Sequence, residues 1–538
     1  MRAICLAVVL IGIAAEWNLA ADTYPRQPGV DAVHYRFRIV LNDALDRIDA
    51  EADVTVRVEP MAREVALDLV SAIDGKGMTV GAVTRAGTPV QFVHDTNRLR
   101  LPLPGDRGSA TDVTFTVSYA GVPLDGLLPF TNIHGDKVMF SEGWPNRARH
   151  WLPMIDHPSD KATGEMIVTA PAQYQVASNG VLVEEVDLDH ARRRTHWRQL
   201  VPIASWLFAV GVARFDVHHA GLVHGVPLQT WTFPQDRLAG RQLFEETSRR
   251  ALDFFSRRVG PYPYDKLANV QASGFGGGME NATVIFYGEK AVAAGRGPVV
   301  HEIAHQWFGN SVTERDWDEV WLSEGFATYL ALLFTEHDKG RDAFVAALRR
   351  DRDAIIAATT KRPDAPVIHR NIDDLTGLLS PLVYEKAGWV LHMLRGEVGD
   401  DMFWTGLREY YRRYRDANAS TDEFRAVMER ASGKDLQWFF SQWLTRGGIP
   451  RLETSWQYDQ HRQGVEVTVA QVQPGPLYRL HVDLGVEAPD GNALGTSRLE
   501  ITGAWATHFI AVAAPPAAVR VDGATWLLAD LRASHVGK

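Results

Sequence analysis

Cysteine is almost absent from this sequence. The 538 residues contain one cysteine, Cys5, which lies in an apolar stretch at the amino terminus. If that stretch is removed from the mature protein, disulfide bonds and thiolate metal sites are excluded. Any metal site in the rest of the chain must then use nitrogen and oxygen ligands.

Long runs of charge are also absent. The net charge of −10 at pH 7 is modest for a chain of 538 residues, and like charges do not cluster in long blocks. We therefore expect no nucleic-acid partner and no membrane surface held by electrostatic attraction. Apolar sequence is plentiful, since 46% of the residues are hydrophobic. That content is enough for several buried cores, and the length favours more than one domain.

The amino terminus has the layout of a secretory signal peptide. Arg2 precedes the apolar residues 3–15, and small residues follow at Ala20 and Ala21. This order predicts a signal peptide over residues 1–21. The apolar stretch is shorter than the ~20 residues that a helix needs to cross a bilayer, and an uncleaved anchor is the weaker alternative. We expect an exported protein, periplasmic or secreted, with no stable membrane span after signal removal.

Periodicity divides the rest of the chain into three regions, which predicts an α+β multidomain fold. Apolar and polar residues alternate in many stretches of residues 22–217, as at Tyr35, Phe37 and Ile39, which predicts an N-terminal antiparallel β domain. Helical spacing dominates residues 218–447. Alternation then returns, and residues 448–538 are expected to form a C-terminal β-sandwich.

The most informative stretch is HEIAHQWFGN, which begins at His301. On a helix, His301 and His305 are four residues apart, so both imidazoles leave the same face and can bind one metal ion. Glu302 lies between the two histidine positions and beside the first ligand. The pattern therefore predicts a zinc site on a helix.

A third ligand is expected downstream, because catalytic zinc commonly takes three protein ligands and leaves one position for water or substrate. Glu324 is the candidate, since it lies in the largely apolar run WLSEGFA, where an unpaired carboxylate would be costly to desolvate. The metzincin alternative is excluded, because Phe308 and Ser311 stand where it needs Gly and His. We expect one Zn²⁺ per chain, held by His301, His305 and Glu324.

With Glu324 nineteen positions beyond His305, this stretch resembles the gluzincin zinc peptidases, specifically the aminopeptidase N family. The resemblance follows the order of modules over most of residues 33–538. It implies a thermolysin-like, mainly helical catalytic domain over residues 218–447. It also implies a peptidase that acts on peptides with a free N-terminus.

The segment GGMEN resembles the exopeptidase motif of that family, with Gly278 where alanine is usual. Glycines let a backbone edge approach an extended peptide closely, so that the peptide can add as a strand. The resemblance implies that the glutamate of the motif, here Glu280, pairs with the free α-ammonium group. The substrate-binding residues predicted from this segment are Gly277, Gly278, Met279, Glu280 and Asn281.

Two more segments carry the resemblance. YEKAGWVLHML is similar to the family segment that holds a transition-state tyrosine, here Tyr384, although its Ala and Gly are in reversed order. The loop over residues 140–161 corresponds to one that supplies a substrate-contacting glutamine in the family. Trp144 stands in that place, with Glu142 two residues earlier, so Glu142 is a further candidate for substrate binding.

The side chains define a hydrolytic chemistry. Zinc held by two imidazoles and a carboxylate lowers the pKa of its bound water toward about 7. Glu302 can then act as general base and afterwards as acid to the leaving amine, and Tyr384 can share the oxyanion charge. The sequence therefore predicts a metallo-aminopeptidase. Two alternatives stay open: a zinc epoxide hydrolase of the leukotriene hydrolase type, and a non-catalytic peptide-binding relative.

Overall fold

The structure is a computed structural model that describes residues 24, 26–103, 105, 108–370, 372–532 and 535–536. The predicted signal peptide lies outside the described residues. A β-rich region, a mainly helical region and a second β region follow one another along the chain, in the predicted order. Their buried side chains form one continuous core.

The first region consists of strands whose side chains alternate between core and solvent. In its first strand Tyr35, Phe37 and Ile39 are buried, as the alternation predicted. The strands are β1 (Val30–Leu41), β2 (Ile48–Val58), β3 (Glu64–Asp68), β4 (Gly77–Arg85), β5 (Thr88–Pro89), β6 (Val93–Asp95), β7 (Arg98–Pro102), β8 (Thr111–Val122), β9 (Leu127–Thr131), β10 (Lys137–Ser141), β11 (Lys161–Pro171), β12 (Gln175–Ser178), β13 (Val181–Leu188), β14 (Arg192–Ala204) and β15 (Val210–Ala213).

Within the described residues, these strands form three sheets, ordered β13-β14-β11-β1-β2-β8-β4-β5, β12-β15-β10-β9 and β3-β7-β6. The prediction of an antiparallel domain is corrected at one pair, because β1 and β11 run parallel, with Tyr35 opposite Gly164. Alternation reports which face of a strand is buried and carries no information about strand direction. The long chain segment between β1 and β11 makes the parallel pairing possible.

The second region is built around a mixed sheet ordered β16-β17-β18-β20-β19. Its first strand already begins at Asp216, so the boundary predicted after residue 217 falls inside β16. The strands are β16 (Asp216–Val223), β17 (Val226–Thr232), β18 (Leu267–Ala272), β19 (Gly278–Met279) and β20 (Val284–Gly288), followed by the short pair β21 (Val312–Glu314) and β22 (Ala417–Ala419).

Helices make up most of this region. In α1, Phe244, Ala251 and Phe254 are buried on one face, in agreement with the helical spacing of the sequence. The helices are α1 (Arg237–Arg258), α2 (Glu289–Ala293), α3 (Val299–His305), α4 (Trp321–Lys339), α5 (Arg341–Lys361), α6 (Ala387–Val398), α7 (Asp400–Tyr414), α8 (Thr421–Ser432) and α9 (Gln437–Leu444). Immediately before α6, Leu382–Lys386 form a π-helical turn, a rare conformation that is frequent at functional sites.

The first region is joined to the second beside the predicted metal site. The ammonium group of Lys161, at the start of β11, donates to the backbone carbonyls of Asn310 (2.9 Å) and Ser311 (2.8 Å). Asn310 is the last residue of the HEIAHQWFGN stretch, and Ser311 follows it. The rings of Trp206 and Trp317 lie 5.1 Å apart across the same junction. The β region therefore fixes the chain where it leaves α3.

The third region contains two sheets, ordered β27-β24-β23-β29, with β30 also paired to β23, and β26-β25-β28. Val465, Val467 and Val469 alternate into its core. The strands are β23 (Arg451–Asp459), β24 (Gly464–Gln471), β25 (Leu480–Glu487), β26 (Ala493–Ile501), β27 (Trp505–Ala511), β28 (Ala518–Val521), β29 (Asp530–Leu531) and β30 (His535–Val536). In the described part of the chain, no helix combines the length and the apolar character needed to cross a membrane.

Candidate active site

The structure brings the three predicted metal ligands together. Helix α3 presents His301 and His305 from successive turns, and α4 presents Glu324 opposite them. The Oε2 atom of Glu324 lies 3.2 Å from the Nε2 atom of His301 and 3.2 Å from that of His305. The two Nε2 atoms are 3.0 Å apart. Three potential ligand atoms thus converge on one point.

This arrangement fits a zinc ion. Three atoms bound to one zinc at ~2.0–2.1 Å in a tetrahedral arrangement lie roughly 3.4 Å from one another, and the observed separations are 3.0 to 3.2 Å. Two imidazoles and one carboxylate are also a donor set that zinc takes in catalytic sites. Burial lowers the pKa of His301, which favours the neutral ring that binds metal.

Hydrogen bonds select the tautomer of His305. Its Nδ1 atom lies 3.3 Å from the carbonyl oxygen of Phe308 and 3.1 Å from the hydroxyl of Ser323. Because a carbonyl oxygen can only accept, a hydrogen on Nδ1 satisfies this contact and leaves Nε2 as the atom available to a metal ion. Gly309 permits this approach, since a Cβ atom there would lie 2.3 Å from the Ser323 hydroxyl. Ser323 carried no signal for this role in the sequence.

Two further carboxylates lie beside the cluster. Ligand-type atoms of Glu280, Glu302 and His305 all lie within 4.8 Å of one another. Burial raises the pKa of both Glu280 and Glu302. A carboxylate with a raised pKa takes up a proton more readily and can pass it on at neutral pH. Glu302 is therefore suited to proton transfer next to the bound metal.

The backbone at Glu280 is clamped to the turn that follows α3. Its carbonyl oxygen accepts hydrogen bonds from the side-chain amides of Gln306 (2.9 Å) and Asn310 (2.7 Å). The Gln306 amide oxygen in turn accepts from the backbone N–H of Thr283. Sequence reasoning assigned no role to Gln306 or Asn310. Both are buried polar side chains that need partners, but the partners became visible only in the fold.

One cavity joins these groups. Its volume of about 420 Å³ falls in the range of small-molecule sites. The predicted residues that line it are His301, His305, Glu324, Glu302, Tyr384, Glu142, Gly277, Gly278, Met279 and Glu280. Trp144, Pro298 and Leu379 also line it; of these, Pro298 and Leu379 carried no signal in the sequence. Asn281 is fully buried and is not among the lining residues, so its part in substrate binding stays a prediction.

Tyr384 closes the cavity from the π-helical turn before α6. Its ring packs almost parallel to that of His301, with centroids 6.0 Å apart. Burial raises the pKa of Tyr384, and the negative charge of Glu324 raises it further. The phenol therefore keeps its proton and can donate a hydrogen bond into the cavity.

Glu142 also lines the cavity, at the start of the 140–161 loop. Burial raises the pKa of its carboxyl, and the guanidinium group of Arg147 opposes that shift. The two side chains form an ion pair. Arg147 also donates from Nε to the carbonyl oxygen of Trp144 at 2.8 Å. Glu142 is therefore held in place by a cation that lies behind the wall.

Comparisons with known proteins agree with this geometry. Residues 244–443 match the Peptidase family M1 domain, and residues 31–207 match the Peptidase M1 N-terminal domain. Among similar proteins, aminopeptidase A of Gloydius brevicauda is 27% identical over an alignment of 332 residues that covers 57% of this chain and 34% of that protein. Glutamyl aminopeptidase of Homo sapiens is 28% identical over an alignment of 346 residues that covers 59% of this chain and 35% of that protein.

A plant protein, aminopeptidase M1-A of Oryza sativa subsp. japonica, is 26% identical over an alignment of 358 residues that covers 63% of this chain and 41% of that protein. The matched part of this chain therefore spans well under half the length of these relatives.

Proposed function

We propose that this chain, which belongs to peptidase family M1, is a zinc-dependent aminopeptidase that hydrolyses the first peptide bond of peptides with a free N-terminus. One observation carries the proposal. One cavity is lined by the three metal-ligand side chains, by the buried carboxylate of Glu302 beside them, and by the edge strand β19 with Glu280 at its end. The names of the relatives support hydrolysis of peptide bonds from the amino end.

His301, His305 and Glu324 would hold the zinc ion. When bound, zinc supplies Lewis acidity toward water and toward the carbonyl of the scissile bond. Glu302 acts as general base by taking a proton from the attacking water at its carboxylate. The same carboxyl group then gives that proton to the nitrogen of the leaving amine. Burial of Glu302, which leaves 5% of the residue exposed, favours this double role because it raises the pKa.

The strand edge aligns the substrate. β19 (Gly278–Met279) pairs with β20 on one side and is the edge of its sheet. An extended peptide can hydrogen-bond to the free side of this edge as an added strand. Glu280 lies at the end of the edge, where its carboxylate can pair with the α-ammonium group. The first peptide bond is then the one presented to the metal ligands.

Tyr384 stabilises the transition state. Attack on the carbonyl builds negative charge on its oxygen, and a hydrogen-bond donor aimed at that oxygen lowers the barrier. Tyr384 keeps its proton and lies beside His301, so its phenol is the donor that this chain supplies.

The finer assignments of fold and location belong to the same proposal. We assign the helical region as thermolysin-like, the two C-terminal sheets as a β-sandwich and the protein as exported. Amino-terminal sequencing of the protein recovered from the periplasm or medium would test export, and a protein that retains residues 1–21 would count against it.

The test combines metal analysis with two kinds of substrate. We expect about one zinc per chain, hydrolysis of leucyl arylamide, and no hydrolysis of its N-acetylated form. Removal of the metal by a chelator should abolish the activity, and added zinc should restore it. The Glu280→Gln variant should lose most of its preference for the free amine while it keeps its zinc.

Other outcomes separate the alternatives. Equal rates on free and acetylated substrates would contradict the role of Glu280. Turnover of a lipid epoxide without arylamide hydrolysis would favour the epoxide hydrolase. Zinc and peptide binding without turnover of either substrate would favour a binding protein.

A further inference from the structure

Apart from the two histidines assigned to the metal, the charged side chains that line the cavity are all acidic. Among its described lining residues are four carboxylates, Glu142, Glu280, Glu302 and Glu324, and no lysine or arginine. Glu324 would hold the metal, Glu302 would move the proton and Glu280 would bind the α-ammonium group. Of the four carboxylates, Glu142 is the one to which the proposed mechanism gives no role.

We propose that the cavity selects the first residue of the substrate by charge: it accepts apolar, neutral polar and basic side chains and rejects acidic ones, with Glu142 as the main source of the rejection. This proposal rests on the aminopeptidase function proposed above and adds a substrate class to it.

Away from the metal site, an acidic side chain would find no lysine or arginine among the described lining residues. Arg147 is not among the described lining residues, and its side chain is already engaged. It forms the ion pair with Glu142 and donates to the carbonyl oxygen of Trp144 at 2.8 Å, and its Nη1 atom lies 3.5 Å from Asp125. A carboxylate that leaves water without a new partner loses its hydration free energy uncompensated. The negative charge of Glu142 adds repulsion.

Neutral and basic side chains of the first residue can make favourable contacts in the cavity. Trp144, Met279 and Leu379 give the cavity apolar walls, on which an aliphatic or aromatic side chain can be buried. The aliphatic stem of a lysine or arginine can pack on the same walls while its charged end reaches Glu142. A basic first residue then becomes a partner of Glu142, and an apolar one leaves the Glu142–Arg147 pair undisturbed.

This selectivity would distinguish this chain from some of its relatives. Several similar proteins are named glutamyl aminopeptidase, a name that describes an acidic first residue. The described lining residues of this cavity include no lysine or arginine that could pair with such a residue. We therefore expect that preference not to extend to this chain.

The sharpest test compares glutamyl and glutaminyl arylamides, because the two side chains have nearly the same shape and differ in charge. At pH 7 we expect kcat/KM for the glutaminyl substrate to exceed that for the glutamyl substrate on the order of 100-fold. Leucyl, methionyl and arginyl arylamides should be hydrolysed as well as the glutaminyl one or better. Similar rates for the glutamyl and glutaminyl substrates would overturn the proposal.

A pair of variants assigns the effect to its source. Glu142→Gln should lower the ratio of glutaminyl to glutamyl kcat/KM about tenfold, because the repelling charge is gone. Arg147→Met should raise the ratio and favour arginyl substrates at pH values where Glu142 is ionised, because Glu142 then lacks its compensating cation. The ratio should fall at lower pH, because the loss of Arg147 also raises the pKa of Glu142. Thermal unfolding of both variants checks that the fold is kept.

The possible results are distinct. A ratio that does not change in Glu142→Gln would overturn the assignment to that residue. If no arylamide of any kind is hydrolysed by the zinc-loaded protein, the aminopeptidase function itself fails. If arylamides are hydrolysed without regard to charge, only the selectivity proposed here fails.

Discussion

The two sides of the cavity are built from different kinds of chain segment. The metal-binding side comes from α3 and α4, two helices close together in sequence that present His301, His305 and Glu324. The substrate-facing side is assembled from the 140–161 loop of the β region and the edge strand β19, and the π-helical turn at Tyr384 lies where the two sides meet. A short stretch of sequence determines the first side, and the packing of two separate regions determines the second.

This difference has a chemical counterpart. The metal-binding side performs steps that every substrate shares, so we expect its substitutions to affect kcat strongly for all substrates. The substrate-facing side positions and selects the peptide, so its substitutions should have smaller effects that depend on the substrate. A substitution on the substrate-facing side that abolished hydrolysis of every substrate, with zinc retained, would break this comparison.

The largest effect is expected for Glu302→Gln. This change keeps the size and the hydrogen-bonding shape of the side chain but removes the base, so kcat should fall by up to about 10⁴-fold. Zinc content should stay near one per chain, because Glu302 is not one of the three ligands. Steady-state kinetics together with metal analysis by mass spectrometry would measure both.

Loss of zinc in the Glu302→Gln protein would mean that this carboxylate belongs to the ligand set. Residual activity above one tenth of the unsubstituted protein would mean that another group takes the proton, and Glu280 would then be the nearest candidate.

The same difference explains which parts of the site the sequence predicts. The spacing of His301 and His305 on one helix face is a local property, and Glu324 follows from its apolar surroundings in the next helix. Gly278, Glu280 and Tyr384 were found through resemblance to a family, not through spacing. Pro298 and Leu379 line the cavity only because distant segments pack there, and no local pattern marks them.

For the fold as well, local sequence patterns predict the elements but not the contacts between distant segments. Alternation at Tyr35, Phe37 and Ile39 predicted a strand correctly, but it could not show that β1 pairs in parallel with β11. It also could not show that β16 belongs to the mixed sheet of the second region, because that depends on its pairing with β17. The hydrogen bonds from Lys161 to Asn310 and Ser311 join residues far apart in sequence. Such contacts are set by the packing of regions and not by local propensity.

Tyr384→Phe should have the next largest effect, because Tyr384 lies where the two sides meet. The change removes one hydroxyl, so kcat should fall about 100-fold while KM changes little. Tyr329→Phe is a matched control, since this buried tyrosine on α4 hydrogen-bonds to His392 at 3.1 Å and does not line the cavity. The control should keep kcat and lower stability by about 1 kcal/mol.

Equal losses of kcat in the two tyrosine variants would show that Tyr384 acts through the fold and not through the oxyanion. A rise in KM alone for Tyr384→Phe would assign the residue to the substrate-facing side of the cavity.

The smallest effect is expected for Gly278→Ala, which brings the two sides into contact. A Cβ atom at this position would lie 2.3 Å from the Oε1 atom of Glu302, too close for both groups to stay in place. Glu302 would have to turn away, and displacement of a catalytic group by about 1 Å can cost up to about 100-fold in rate. Because the carboxylate ends a flexible side chain, we expect a loss of about tenfold in kcat with zinc retained.

Gly276→Ala supplies the control for that glycine. A Cβ atom at Gly276 meets no other atom within 4 Å, and the residue lies two positions earlier in the same exposed approach to the edge strand. If the comparison holds, only the Gly278 variant loses activity, because only there does the edge strand touch the base. Equal activities in the two variants would show that Glu302 accommodates the methyl group without leaving its working position, and that the two sides of the cavity act independently at this contact.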